Sequence, residues 1–250
     1  MLVSVIGIAS WFIYKTIETN TRTEIYNFLT AELNSTHQSV KYWLQEHQAA
    51  TKVWANTLEV RNAAITLLDG KADQQALLSA PAQTLLRTWL RPVHVGKGYH
   101  GYFIISPDLL NLASSRDANI GTKSLLAGQS KFFARILSGH TAVSSPELSD
   151  VPLPDKQGIL TPELPTMFVG APIFDNNGTV IAVFTFRLNY SSIFTNLLQH
   201  AHIGESGETF AIDRHGRLIS ESRFEEQLRD IGLLSAGESS ILNIRLTDPG

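Results

Sequence analysis

The sequence predicts an α+β chain, with a long leading helix followed by antiparallel sheets that are flanked by helices. Three observations carry this. No proline precedes Pro81, and Gly7 is the only glycine before Gly70, so nothing interrupts a helix there. Apolar residues recur at helical spacing through that stretch. Beyond residue 98, runs of Val, Ile, Phe and Tyr alternate with Asn, Gly and Pro turn signals. Apolar residues make up 43% of the 250, enough to bury a core.

The first segment, Leu2–Tyr14, is thirteen uncharged and almost wholly apolar residues. A bilayer span needs roughly 20. A signal peptide would carry basic residues before the run and a small-residue cleavage site after it, and neither is present. A buried core helix would explain the run, but the outer part of a transmembrane helix explains it better. Trp11 and Tyr14 would then sit at the membrane interface, which suits their half-polar rings. Residues 1–18 are therefore read as a partial transmembrane helix.

Leu29, Leu33, Val40, Trp43, Leu44, Trp54, Leu58, Ile65 and Leu68 place apolar residues on one face of a single helix from about Thr19 to Leu68. At 1.5 Å per residue, fifty such residues reach about 75 Å. Asp69-Gly70 supplies a C-cap. Residues 19–70 thus read as a stalk helix, its Trp and Leu stripe packing against a domain or a second copy.

A shorter helix spans Gln75 to Leu90 and ends at Pro92 and the Gly96-Lys97-Gly98 turn. Strands are expected over Tyr99–Ile105, Leu112–Ser115 and Thr141–Ser145, with a helix over 122–138 between the second and third. Residues 146–165 hold five of the ten prolines and read as a surface loop. Strands Met167–Phe174 and Thr179–Leu188 flank Asp175-Asn176-Asn177-Gly178, whose Asn-Gly is a strong hairpin signal. A second cycle follows: a helix over Tyr190–His202, strands Thr209–Asp213 and Arg217–Ser222, a short helix or turn Arg223–Leu228, and a strand Ser240–Leu246. It has too few strands to close a sheet core.

The chemistry that composition and motifs exclude is broad. The net charge is −3 and no Lys/Arg-rich run occurs, which argues against a nucleic-acid partner. With no cysteine there is no disulfide framework, thiol nucleophile or Cys-based zinc site. Gly204-Glu205-Ser206-Gly207-Glu208 lacks the final Gly and the preceding strand of a nucleophile elbow. No phosphate-binding loop and no His-Glu-x-x-His occurs. The closest histidine pairs, His94/His100 and His200/His202, are badly spaced for sharing a metal. No enzyme activity, cofactor or metal is expected in this region.

A small-molecule pocket fits the remaining residues better. Arg87 and Trp89, then His94, Tyr99, His100 and Tyr102, combine a cation with aromatic rings and polar tips. Arg grips carboxylates in a fork, and Trp and Tyr close over apolar or cationic groups. Ser114, Ser115, Arg116, Asp117, Ser144 and Ser145 fall at strand ends, where loops line cavities. The candidate ligand-binding set is Arg87, Trp89, His94, Tyr99, Tyr102, Ser114 and Ser144. The bland alternative is that Trp89 and Tyr102 are core and Arg116-Asp117 a surface turn.

Several segments together resemble the double Cache family of tandem, PAS-like extracytoplasmic sensor domains in bacterial receptors. They are Gly101–Ser106 (GYFIIS), Asn119–Gly121 (NIG), Met167–Phe174 (MFVGAPIF), Val180–Phe184 (VIAVF), Gly204–Asp213 (GESGETFAID) and Glu221–Phe224 (ESRF). The resemblance spans about residues 20–250. It implies a membrane-distal ligand-binding module at about 71–189 and an incomplete membrane-proximal module at 190–250. It also implies an inner-membrane protein whose sensing part is in the periplasm or outside the cell, with a cytoplasmic output of kinase, diguanylate cyclase or chemotaxis type. A homodimer through the N-terminal helix is expected. One amino-acid-binding subset carries Arg-x-Trp-Tyr before the first strand. Here Arg87-x-Trp89 matches but Leu90 replaces the Tyr, so a small carboxylate is the more cautious ligand class. Two rivals stand beside the sensor: a ligand-free structural or protein-interaction module, and a membrane-anchored periplasmic enzyme.

Overall fold

The structure is a computed structural model. It describes residues 2–70, 73–155, 157–199 and 207–247. The leading helix is two helices, not one. α1 covers Leu2–Ala55 and α2 covers Leu58–Asp69. The break has a local cause. Asn56 and Thr57 donate their backbone N–H groups three residues back, to Val53 and Trp54. Their side chains take the Lys52 and Trp54 carbonyls at 2.7 and 2.8 Å. Side chains of this type compete with the helical ladder, and hydrophobic spacing does not register that competition. Thr57, in extended conformation, then starts α2. Among the described residues no helix is long and apolar enough to cross a membrane.

The expected helix over 75–90 also divides, into α3 (Gln74–Ser79) and α4 (Pro81–Gly96). Pro81 sits at the first turn of α4, where its missing N–H costs nothing. Pro92 does not end α4 but lies inside it. The helix runs one turn further, to where Lys97, Gly98 and Tyr99 donate back to Val93, Val95 and His94. The expected helix over 122–138 is a 3₁₀ turn at Leu125–Gly128 followed by α5 (Ser130–Leu137).

The strands are β1 (Gly101–Ile105), β2 (Asn111–Ser114), β3 (Ala142–Val143), β4 (Glu147–Leu148), β5 (Leu153–Pro154), β6 (Leu160–Thr161), β7 (Pro165–Phe174) and β8 (Val180–Leu188). The main sheet runs β2-β1-β8-β7-β3 and is antiparallel throughout, with β4 also on β7. β5 and β6 form a separate small hairpin. The β7–β8 turn is pinned by Asp175, whose carboxylate accepts from the Asn177 and Thr179 N–H groups at 2.8 Å.

Side-chain alternation gives the sheet two faces. Tyr102, Ile104, Val169, Ala171, Phe184 and Phe186 pack with α1, α2 and α4 into the larger core. Phe103, Ile105, Phe168 and Val183 pack against α5 on the other side. Gly170 is what lets α5 come close. A Cβ there would stand 2.5 Å from Ile136 and 2.9 Å from Phe132.

After β8, α6 (Tyr190–Gln199) leads into residues 207–247, which contain α7 (Glu225–Asp230). The expected helix end at 200–202 and the Gly204–Ser206 motif residues lie outside the described residues. The expected strands at 209–213, 217–222 and 240–246 form only isolated bridges, Ile212 to Leu218 and Arg217 to Arg245. Serine hydroxyls replace ladder carbonyls here: Ser220 accepts from Ala211 N–H, and Ser240 from Ser222 N–H. Leu242, at φ 68°, turns the third segment out of extended conformation.

Candidate functional site

The α5-facing side of the sheet carries a buried cation. Arg187 on β8 is 1% exposed. Cross-strand register puts it between Gly101 of β1 and Phe168 of β7. Its guanidinium carbon lies 5.0 Å from the ring centres of both Phe103 and Phe168. Aromatic faces attract a cation once water is gone. Nη2 donates to Asp150 Oδ1 at 2.6 Å, and Nη1 to Ser149 Oγ at 3.2 Å. Burial holds the guanidinium below its ordinary range, and the Asp150 carboxylate opposes that fall.

Asp150 is held from a second side. Asn119, itself 3% exposed, donates from Nδ2 to Asp150 Oδ2 at 3.0 Å. The segment bearing Asp150 is an excursion from the sheet edge. Ser149 N–H donates to Leu164 carbonyl at its base, and the β5–β6 hairpin forms its tip. The proline-rich stretch expected to be a surface loop is therefore partly a cover: Leu153 within it is fully buried.

Several polar groups on this side of the sheet are buried without partners. Arg187 Nε, Thr185 Oγ1, Thr166 Oγ1 and Asn119 Oδ1 are buried and make no hydrogen bond. Each such group costs about 1–3 kcal/mol unless something satisfies it. Arg116 stands nearby, lowered by its own burial and supported by Asp150. Burial raises the Glu147 carboxyl, and Gln129 donates to it at 2.6 Å. His100 is pushed down to about 4, first by burial and then by Arg116 and Arg187. The ring is therefore neutral at pH 7, and Asp150 is the carboxylate that supports both Arg187 and Arg116. Gln129 and Glu147 also line a cleft of about 990 Å³ that extends to Arg214 and Arg217. A second cavity, of about 380 Å³, lies apart between α2 and α4.

The residues singled out from sequence divide between the two faces. Ser114 and Ser144 belong to the Arg187 side, opposite Phe103 and next to Phe168 respectively. Ser144 Oγ accepts from Phe168 N–H at 2.8 Å. The other side holds Arg87, Trp89, Tyr99 and Tyr102. Arg87 reaches the edge of β2, donating to Ser114 carbonyl at 3.2 Å and pairing with Asp117. Trp89 sits edge-on to Trp54 at 4.9 Å. Tyr99 stacks on Phe186 at 4.4 Å, with its hydroxyl 2.7 Å from His47 Nδ1. Tyr102 is fully buried against Phe184. His94 ends α4 with its Nδ1 buried and unpaired, and burial lowers it.

Arg187 escaped sequence reading because Thr185 and Arg187 alternate with Phe184 and Phe186. In isolation that pattern means a solvent-facing polar edge. The one available signal was a lone arginine near the end of a mostly apolar strand. Among the described residues, no group of three or more His, Asp or Glu is placed to hold a metal ion.

The sheet order, the long leading helix and the helices on both faces give this chain the α+β, PAS-like fold of Cache sensor domains. Among solved structures it is similar to the sensor domain of the Vibrio cholerae histidine kinase DctB, at TM-score 0.53 and 13% identity, covering 81% of this chain and 72% of that one. It is also similar to methyl-accepting chemotaxis protein X (TM-score 0.54, 15% identity, 84% and 83% coverage). A third is the ligand-binding domain of the Campylobacter jejuni chemoreceptor Tlp3 in complex with 4-methylisoleucine (TM-score 0.52, 12% identity, 81% and 71%). No family model and no curated protein matches the sequence.

Proposed function

We propose that this chain is the extracytoplasmic sensing region of a transmembrane signalling receptor, and that it binds a small carboxylate or amino acid and performs no catalysis. The ligand site is the Arg187 chamber in the membrane-distal module, residues 71–189. The observation that carries this reading is a buried arginine whose Nε has no partner, under a covering excursion. A carboxylate would fork the guanidinium through its unpaired Nε and a neighbouring Nη. In an amino-acid ligand, Glu147 would face the ammonium. The fold is shared with a histidine kinase sensor domain and a chemoreceptor ligand-binding domain, which supports either type of output. The apolar start supports a membrane anchor. The exposed Ile25, Phe28, Leu29 and Leu33 of α1 support pairing with a second copy.

The test is thermal unfolding of the chain against formate, acetate, C4-dicarboxylates and amino acids. One class should raise the melting temperature in proportion to ln[ligand], and Arg187→Gln should abolish that rise. An equal rise in Arg187→Gln, or no rise with any compound, overturns the site. A ligand-free structural module is the second reading. It is favoured by one observation: Arg187 already has its counter-ion in Asp150.

A further inference from the structure

We infer that Asp150 is a tethered stand-in for the ligand's carboxylate, so the site is gated by competition within the chain. The inference rests on the Arg187 chamber being the ligand site. Asp150 places one carboxylate oxygen on Arg187 and the other on Asn119. Those are the contacts a free carboxylate would seek. Yet the Asp150 side chain is 28% exposed while Arg187 is 1% exposed. The arginine belongs to the interior, and the aspartate reaches in from the rim.

The segment that delivers Asp150 is tied at both its base and its tip. Its base is closed by the Ser149–Leu164 hydrogen bond and its tip by β5–β6. Asp155 braces the tip turn by accepting from the N–H groups of Gln157 and Ile159 at 2.9 and 2.8 Å. Asp150 therefore satisfies the cation without satisfying Arg187 Nε, Thr166 or Thr185. A free carboxylate that forks Arg187 through Nε and Nη2 expels Asp150. The whole 149–164 excursion then loses its ionic latch. Chemical occupancy thereby becomes a displacement of the sheet's cover.

Binding and displacement are linked, so the fraction of molecules with Asp150 on Arg187 weakens the apparent affinity for any competing carboxylate. Removing the Asp150 charge should remove that handicap. The experiment is calorimetric titration of the whole chain with sodium acetate and with sodium succinate, against sodium chloride at equal ionic strength. Wild type, Asp150→Asn, Asp150→Ser and Arg187→Gln are compared. Both Asp150 variants should bind acetate at least about tenfold more tightly than wild type, and Arg187→Gln should not bind. Carboxylate should also speed proteolytic cleavage of wild type within 149–164, and should not change cleavage of the Asp150 variants. Equal or weaker binding by both Asp150 variants overturns the inference. So does an amino acid that binds wild type and is lost in Asp150→Asn, since Asp150 would then hold the ligand's ammonium. Binding retained in Arg187→Gln overturns the underlying site instead. No binding by any variant overturns both.

Discussion

The two faces of the β2-β1-β8-β7-β3 sheet are built by the same strands and differ in kind. On the α1/α2/α4 side, Tyr102, Phe184, Phe186 and Tyr99 pack ring on ring, and every strand contributes apolar residues. On the α5 side, the same strands present Ser114, Thr185, Arg187 and Thr166 beside Phe103 and Phe168. The first face is mainly aromatic and aliphatic, with the Tyr102 and Tyr190 hydroxyls buried and unpaired within it. The second buries a cation whose counter-ion reaches in from the rim, and leaves the Thr166 and Thr185 hydroxyls unpaired. The difference teaches that burial alone does not mark core.

The comparison breaks most readily on the apolar face. Phe184→Ala removes a fully buried ring in contact with both Tyr102 and Phe186. It should cost about 3–5 kcal/mol in urea unfolding. A loss below about 1 kcal/mol would mean this face is not the structural one.

On the polar face the two partners of one ion pair should behave unequally. Asp150→Ala leaves Arg187 buried and unpaired and should cost about 3 kcal/mol. Arg187→Leu leaves Asp150 near the rim, where water can reach it, and should cost no more than about half of that. Paired denaturation curves measure both. A larger loss for Arg187→Leu would make Arg187 a structural anchor.

Acid should weaken the polar face first. His100 titrates at about 4 when folded, against an ordinary 6.5. Between those values the unfolded chain binds the extra proton, so stability falls as pH drops from about 6.5 to 4 and is fully present above 6.5. Allowing for the ring's partial exposure, the contribution is about 1–2 kcal/mol. His47 and His94 are lowered by burial and act in the same direction. Melting temperature against pH should be flatter in His100→Gln. An identical slope would remove His100 from the explanation.

The smallest effect belongs to Arg87→Ala. Arg87 pairs with an Asp117 side chain that is 71% exposed. The loss should be about 0.5–1 kcal/mol, with the ligand response retained. A ligand response lost in this variant would bring Arg87 into the site.

The long helix, the β7–β8 hairpin and the fold class were readable because each rests on local pattern: helical spacing, Asn-Gly, and β-rich runs bounded by turn residues. Ser114, Ser144 and Arg116 were readable as polar residues at strand ends. Arg187 was not, because what buries it comes from far along the chain: Asp150 and Ser149 are 37 and 38 residues away. The same distance explains Arg87. Its Arg-x-Trp spacing is local, whereas its partner Asp117 lies 30 residues on. The break at Asn56-Thr57 and the interrupted strands after residue 207 share another cause. In both places side-chain oxygens or amides substitute for backbone partners, which hydrophobic periodicity does not detect.

One feature of α1 works as a lever. Among its described side chains Thr36 is the first that is buried, and the described hydrophobic positions before it are exposed. At 1.5 Å per residue, the 34 residues from Leu2 to Ser35 make an arm of about 50 Å. The pivot is where Val40, Trp43 and His47 seat the helix on the sheet and α6. A tilt of only about 2° at that seat would swing the far end by about 2 Å, a step large enough to change how two adjacent helices interdigitate. The sheet therefore needs to move very little for its state to be legible at a distance.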